Sequence, residues 1–180
     1  MKRWLVFLLA VVVFATVHEG THALVAMSYC EYEAFRIIPI GFVEVQFRTP
    51  VGERDGVHWA LISGASNLVT ILIGYLLLWL GNRLARLRSW FFRTASFYLT
   101  LVFLLADPMN LSIGPFIYGG DANGIALSLG LRRYVIQIVF LVLLLVNREL
   151  IARRLFPVYQ VQVKHGLFRP WVPWANRTKE

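Results

Sequence analysis

The sequence is poor in charged residues and in cysteine. Only 16% of its 180 residues are charged and 58% are hydrophobic, whereas a soluble domain is about 45–50% apolar and about 25% charged. The mean hydropathy of +0.62 indicates a chain that uses the bilayer as its solvent. The single cysteine, Cys30, excludes an internal disulfide framework and a cysteine-rich zinc module.

The length leaves little room outside the membrane. A membrane-spanning helix needs about 20 apolar residues, so the chain accommodates roughly four spans and no soluble enzyme domain of typical size. Any chemistry must therefore lie among the helices. The net charge of +8 favours basic residues that flank the spans and set their orientation, and we expect no nucleic-acid partner.

Four long apolar stretches predict an all-α polytopic membrane protein with short surface strands. The first stretch is longer than the apolar region of a signal peptide, so we expect a retained span. We assign residues 1–155 to one membrane-embedded domain and residues 156–180, with Trp171 and Trp174, to an interfacial tail. The predicted spans are residues 4–27, 57–80, 95–131 and 134–152.

The third span is predicted to be discontinuous. Asp107-Pro108, Gly114-Pro115 and Gly119-Gly120 are residues that unwind helices rather than extend them. Non-helical backbone at membrane depth is tolerated only where it is buried in protein or lines a wet cavity. The break itself therefore marks a site.

Two segments alternate apolar and polar residues with the period of a β-strand. They are residues 43–47, within a surface loop over 29–56, and residues 159–164. We predict a short strand at the membrane surface in each.

A metal-binding pattern lies inside the first span. His18-Glu19-Gly20-Thr21-His22 fits H-E-x-x-H, in which histidines four residues apart share one helix face and bind a single zinc ion. The glutamate beside the first ligand can take a proton from a water molecule at the metal. Ionisable residues at membrane depth are costly and functional by default, so the pattern favours a zinc site over a chance match.

A catalytic zinc ion normally has three protein ligands and one open position. Counting about 1.5 Å per residue from the same membrane face, His18 lies roughly 15 Å deep and Asp121 roughly 16 Å deep. Asp121 is therefore the preferred third ligand. His58, at the rim, and Asp107, on the other side of the break, remain the alternatives, while Cys30 and its neighbouring glutamates lie beyond the span.

Asn67 and Asn110 are candidates for contacts with a substrate. Asn67 lies roughly 15 Å below the same face and follows the small residues Gly64-Ala65-Ser66. It would either steady a scissile carbonyl or a substrate strand, or bond between helices. Asn110 in the break carries the same two interpretations, with capping of a broken helix end as its structural role.

Several motifs follow one another in order between residues 14 and 131. They are HEGTH at 18–22, Gly-Phe-Val-Glu-Val at 41–45, Gly-Ala-Ser-Asn at 64–67, and Asn-Leu-Ser-Ile-Gly-Pro at 110–115 leading to Asp121. This order resembles the site-2 protease family of intramembrane zinc metalloproteases.

The resemblance implies a complete assignment of the site. His18, His22 and Asp121 would bind one zinc ion per chain, Glu19 would be the catalytic base, and Asn67 and Asn110 would help to place the substrate. The implied substrates are transmembrane segments of other proteins, cut within or near the membrane.

The chain departs from the family pattern in two respects. The family's aspartate is usually followed at once by glycine, whereas here Ala122 and Asn123 separate Asp121 from Gly124. There is also no inserted PDZ-like domain, so the chain resembles a minimal member.

Charge places both termini on the cytosolic side, because most of the 18 basic residues lie on the face that holds the N-terminus. The zinc would then lie nearer the external face, whereas the family generally holds it nearer the cytosol. The side of the site therefore stays open. We expect a multi-pass protein of a prokaryotic cell membrane, with the lipid bilayer and a transmembrane protein substrate as its partners.

A non-catalytic membrane protein is the alternative. In it the same residues would form a structural metal site or a hydrogen-bonded polar core, within a scaffold or an ion-handling module. Glu19 favours the enzyme, since a structural zinc site has closed coordination and needs no base beside it.

Overall fold

The computed structural model describes residues 2–37, 43–118 and 120–172, and most of these are helical. Single 3-10 turns at Val51–Glu53, Gly114–Phe116 and Gly166–Phe168 and a π-helical turn at Ile151–Leu155 complete the regular structure of this part of the chain. The elements in chain order are α1 (Lys2–Ser28), β1 (Tyr32–Ile37), β2 (Val43–Phe47), α2 (Val57–Trp79), α3 (Gly81–Leu84), α4 (Trp90–Ser112), α5 (Gly120–Ser128), α6 (Arg133–Leu150) and α7 (Phe156–Val158).

Four helices are long and apolar enough to cross a membrane, which confirms the predicted all-α polytopic fold with short strands. They are α1, α2, α4 prolonged to Phe116, and α6 prolonged through the π-helical turn to Val158. Half of the residues in the apolar stretch of α4 are buried inside the protein, against 17% of those in the apolar stretch of α1. Helix α4 is therefore the central span, and α1 packs against it and α2 from one side.

The third span breaks later than the sequence predicts. Helix α4 begins at Trp90 and continues through Pro108 to Ser112, so the prediction that Asp107-Pro108 unwinds the helix is wrong. The interruption comes at residues 113–118, and the short helix α5 follows it, opened by Gly120 with φ +52°. Gly119, part of the predicted break, lies outside the described residues.

Helix α4 tolerates Pro108 because a neighbouring helix replaces the hydrogen bond that proline removes. Proline has no N–H to donate to the carbonyl four residues earlier, which here belongs to Leu104. Asn147 of α6, itself buried, donates its Nδ2 to Leu104 O at 2.7 Å and accepts a 2.5 Å bond from the Tyr75 hydroxyl. Such side-chain donors are how membrane helices accommodate an internal proline.

One of the two predicted strands forms. Strand β2 covers residues 43–47 as predicted and pairs antiparallel with β1, with Phe35 opposite Val45. Residues 38–42, which include Gly41 and Phe42 of the surface-strand motif, lie outside the described residues.

The predicted strand at residues 159–164 is wrong. Gln160 adopts φ +54°, and Val161 N bonds back to Phe156 O at 2.9 Å, which is how a left-handed residue ends a helix. The Tyr159 ring then packs against Phe97. The alternation of apolar and polar residues does not produce a strand here, because the preceding helix ends at Gln160 and the chain turns back onto the bundle.

The beginning of the predicted interfacial tail folds back on α6. The Arg148 guanidinium stacks on Trp171 at 3.8 Å, and Glu149 accepts hydrogen bonds from the backbone N–H groups of Trp171 and Val172. Trp174 lies outside the described residues.

Replacing Asn147 by alanine should leave the Leu104 carbonyl without a donor and destabilise the protein by about 1–3 kcal/mol. In a Pro108→Ala background the restored N–H takes over, so Asn147→Ala should cost less there. The measurement is the free energy of unfolding in detergent, with Tyr75→Phe as the control for the second bond of Asn147. Equal costs in both backgrounds would contradict the replacement.

Candidate metal centre

Three side chains from two helices meet in the interior of the bundle. His18 Nε2 and His22 Nε2 of α1 lie 3.2 Å apart. The Asp121 carboxylate of α5 lies 3.4 Å from His18 Nε2 and 3.3 Å from His22 Nε2. Both histidines are buried, and the three candidate ligand atoms all lie within 4.8 Å of one another.

The spacing of these atoms fits a bound metal ion. Tetrahedral donors at about 2.0–2.1 Å from one Zn²⁺ ion stand about 3.3 Å apart, close to the 3.2 Å between the two Nε2 atoms. Each Nε2 atom also lies 3.3–3.4 Å from a different oxygen of the Asp121 carboxylate. Two imidazoles and one carboxylate also match the donor set of catalytic zinc sites. The His18, His22 and Asp121 group can therefore hold a metal ion, and zinc as its identity stays a prediction.

His22 is oriented by the backbone of α2. Its Nδ1 lies 2.7 Å from Ile62 O, and because a carbonyl only accepts, Nδ1 carries the proton. Nε2 is then the ring nitrogen that carries the lone pair, which is what a metal requires. The Ser66 hydroxyl lies 2.8 Å from the same Nε2.

His18 is backed by a buried carboxylate. Asp107 Oδ1 of α4 lies 3.1 Å from His18 Nδ1, although the two groups do not have the alignment of a hydrogen bond. The Thr70 hydroxyl donates to the other oxygen of Asp107. Asp107, one of the alternative third ligands, thus faces the ring nitrogen opposite the cluster, as carboxylates behind metal-binding histidines do.

Asn67 holds the third member of the cluster. Its Nδ2 donates to Asp121 Oδ2 at 3.2 Å and to Ser63 O at 2.9 Å. Its Oδ1 is buried and has no hydrogen-bond partner among the described residues. The structure thus places Asn67 beside Asp121, at the predicted layer, and a contact with substrate stays a prediction.

Glu19 lies at the edge of the cluster, next to the pair of strands β1 and β2, which is called the hairpin below. One carboxylate oxygen is 4.0 Å from His18 Nε2, and the other accepts a 3.1 Å hydrogen bond from the backbone N–H of Val45 in β2. This N–H points away from β1, so the outer edge of β2 faces the candidate site.

Two further candidates lie apart from the cluster. Asn110 accepts a hydrogen bond from the Tyr118 hydroxyl across the break after α4, and in the described structure it makes no polar contact with the three candidate ligands. This geometry favours its structural interpretation. His58, the other alternative ligand, contacts the rings of Tyr29 and Trp59 at the rim.

Aromatic rings enclose the histidines. Phe14 lies against His18, with ring centroids 5.6 Å apart, and Phe47 of β2 lies 6.3 Å from His22. The Arg54 guanidinium sits over Phe47 at 4.8 Å. This contact places a cation at the hairpin side of the site. Burial lowers the pKa of Arg54, and the charges of Glu31 and Asp121 oppose this shift.

The sequence contained a signal for the α2 contacts that motif reasoning missed. Ser63, Ser66, Asn67 and Thr70 recur at helical spacing inside an apolar span and are all buried. Residues three and four apart share a helix face, so these positions form one polar stripe, which contacts His22, Asp121 and Asp107. The spacing of these polar residues by three and four positions within an apolar span is the sequence signal for this stripe.

Close packing of α5 on α2 sets the position of Asp121. A Cβ at Gly124 would lie 2.9 Å from Ser63 Cβ and collide with the Ser63 hydroxyl. Gly124, three residues after Asp121, therefore has a packing role. Gly64, on the opposite side of the contact, has room, since its Cβ would meet Ile125 at 3.6 Å.

The chain matches no protein-family model, and no match is found among curated proteins or solved structures.

Gly124→Ala should push α5 away from α2 and move Asp121 out of the cluster, weakening zinc binding by at least about tenfold, or about 1.4 kcal/mol. Competition with a chelating dye measures the affinity. Gly64→Ala is the matched control and should bind zinc normally. Adding Ser63→Gly to Gly124→Ala should restore affinity, and a failure of this rescue would contradict the packing role.

Asp107→Asn should weaken zinc binding by about 10- to 100-fold, because the carboxylate behind His18 orients the ring and raises its basicity. The same dye competition measures the effect, and exposed Asp55→Asn serves as the control. Unchanged affinity in Asp107→Asn would mean that the contact with His18 has no influence on the metal.

Proposed function

We propose that this protein is an intramembrane zinc endopeptidase that hydrolyses peptide bonds within or near transmembrane segments of other proteins. The observation that carries the proposal is the buried convergence of His18, His22 and Asp121 with Glu19 at its edge. The motif order that resembles the site-2 protease family supports it. When bound there, Zn²⁺ supplies Lewis-acid chemistry, polarising a carbonyl and making water more acidic.

Glu19 is the group placed to move protons. Its carboxylate is partly exposed and lies 4.0 Å from a candidate ligand atom, so it can reach a water molecule beside the cluster. It accepts the proton of the attacking water and returns it to the leaving amine. A structural metal site would have no use for this group.

The outer edge of β2 offers a place for the substrate. A helical substrate must unwind before cleavage, because its carbonyls are hydrogen-bonded within the helix. The unwound segment can add to a free strand edge by backbone hydrogen bonds, and the edge of β2 at Val45 faces Glu19. Substrate pairing there would take the Val45 N–H from Glu19 and release the carboxylate for catalysis.

Asn67 acts in this scheme chiefly through Asp121. Both hydrogen atoms of its amide have acceptors in Asp121 and Ser63, so it has no further donor for a developing oxyanion. Its Oδ1 has no hydrogen-bond donor among the described residues, and it is the atom of the side chain that could accept a bond from a substrate or a water molecule.

The alternative is a non-catalytic membrane protein with a structural metal or a hydrogen-bonded polar core. The contacts of Asp107 with His18 and Thr70 suit such a core as well as a catalytic site. The two functions differ in what Glu19 does.

Glu19→Gln should retain about one zinc ion per chain and lower the cleavage rate at least about 100-fold, the contribution of general base catalysis. The assay uses the full chain in proteoliposomes with single-span substrates that carry helix-destabilising glycine or proline. Glu44→Gln, an exposed substitution on β2, is the matched control and should cleave normally.

Two results would contradict the proposal. One is cleavage by Glu19→Gln at the wild-type rate. The other is a wild type that holds one zinc ion and cleaves no member of the substrate panel, which would favour the structural metal site.

A further inference from the structure

Two adjoining cavities lie at the N-terminal end of the bundle, far from the metal centre. One, of about 640 Å³, is lined among others by Arg3, Arg93, Gln160 and Gln162. The other, of about 420 Å³, is lined by Arg3, Trp4, Phe7 and Tyr98. Arg3 and Tyr98 line both, so the two cavities adjoin at these side chains, and together they are called the groove.

The polarity of this groove changes with depth in the membrane. Helices α1 and α4 both run inward from the same face, because α2 crosses back between them, and the rings of Phe7 and Tyr98 meet at 5.5 Å. Phe7 lies about 6 Å deeper than Arg3, and Tyr98 about 7.5 Å deeper than Arg93. The groove is thus cationic at the surface and aromatic below it.

The two arginines carry uncompensated charge. Among the described residues, neither the Arg3 nor the Arg93 guanidinium has an acidic partner. Glu149, the acidic residue at this end of the described bundle, is held by Arg148 and Arg153. Guanidinium groups bind phosphate through paired hydrogen bonds, so the mouth of the groove is suited to an anion.

We propose that this groove binds one anionic phospholipid of the bilayer, with the phosphate between Arg3 and Arg93 and an acyl chain along Trp4, Phe7 and Tyr98. Basic pockets at the ends of transmembrane helices recognise anionic head groups in this way. A free phosphate would leave the aromatic part unused. A phosphatidylcholine would bring its own cation against the two arginines.

The irregular segment after α7 takes part in this site. Gln160 and Gln162 line the polar cavity and offer amide donors and acceptors to a head group. The failure of residues 159–164 to form a strand thus places these side chains over the mouth of the groove.

The test is native mass spectrometry of the full chain in detergent with added phosphatidylglycerol or phosphatidylcholine of identical acyl chains. The wild type should retain one phosphatidylglycerol with at least tenfold higher affinity than phosphatidylcholine. The double variant Arg3→Gln/Arg93→Gln should lose this preference. The matched double variant Arg86→Gln/Arg88→Gln removes two exposed arginines of the same face that do not line the groove, and it should keep the preference.

Each other outcome overturns the proposal. A wild type without preference, or without a retained lipid, shows that the groove selects no anionic lipid. An equal loss in the matched control shows general attraction to a basic face. Displacement of phosphatidylglycerol by glycerol 1-phosphate at equal concentration shows a site for a soluble phosphate rather than for a lipid.

Discussion

The close approach of two imidazoles and a carboxylate in the apolar interior is the constraint on which the rest of the structure depends. Such groups are costly at membrane depth unless they are paired or bind a metal ion. Each of the three has a polar neighbour: Ile62 O beside His22, Asp107 beside His18 and Asn67 beside Asp121. The bundle therefore stabilises one arrangement of the cluster and orients the nitrogen atoms that a metal ion would use.

Helix α2 supplies most of this support, although none of the three clustered side chains belongs to it. Its polar stripe contacts His22 and Asp121. Helix α5 can pack closely against Ser63 only because residue 124 is glycine. Helix α4 adds Asp107 immediately before Pro108, and Asn147 of α6 restores the bond that this proline removes. Contacts between several pairs of helices thus combine to position one site.

Much of the fold follows from composition and period, because a span must be long and apolar and a half-exposed strand must alternate. The HEGTH pattern placed His18, Glu19 and His22 on one helix, and depth counting placed Asp121 at their level. Three features were beyond this reasoning. The continuity of α4 through Pro108 depends on Asn147, about 40 residues away, the turn at Gln160 depends on the preceding helix end, and the contact of Asp107 with His18 depends on helix rotation, which spacing alone does not give.

The most direct test of the account is X-ray absorption at the zinc edge of the purified full chain. We expect one zinc ion per chain with two imidazole nitrogens and carboxylate or water oxygens at about 2.0–2.1 Å, and the loss of one imidazole ligand in His22→Ala. A protein that retains no zinc, or zinc whose coordination is unchanged in His22→Ala, would contradict the assignment of the metal centre.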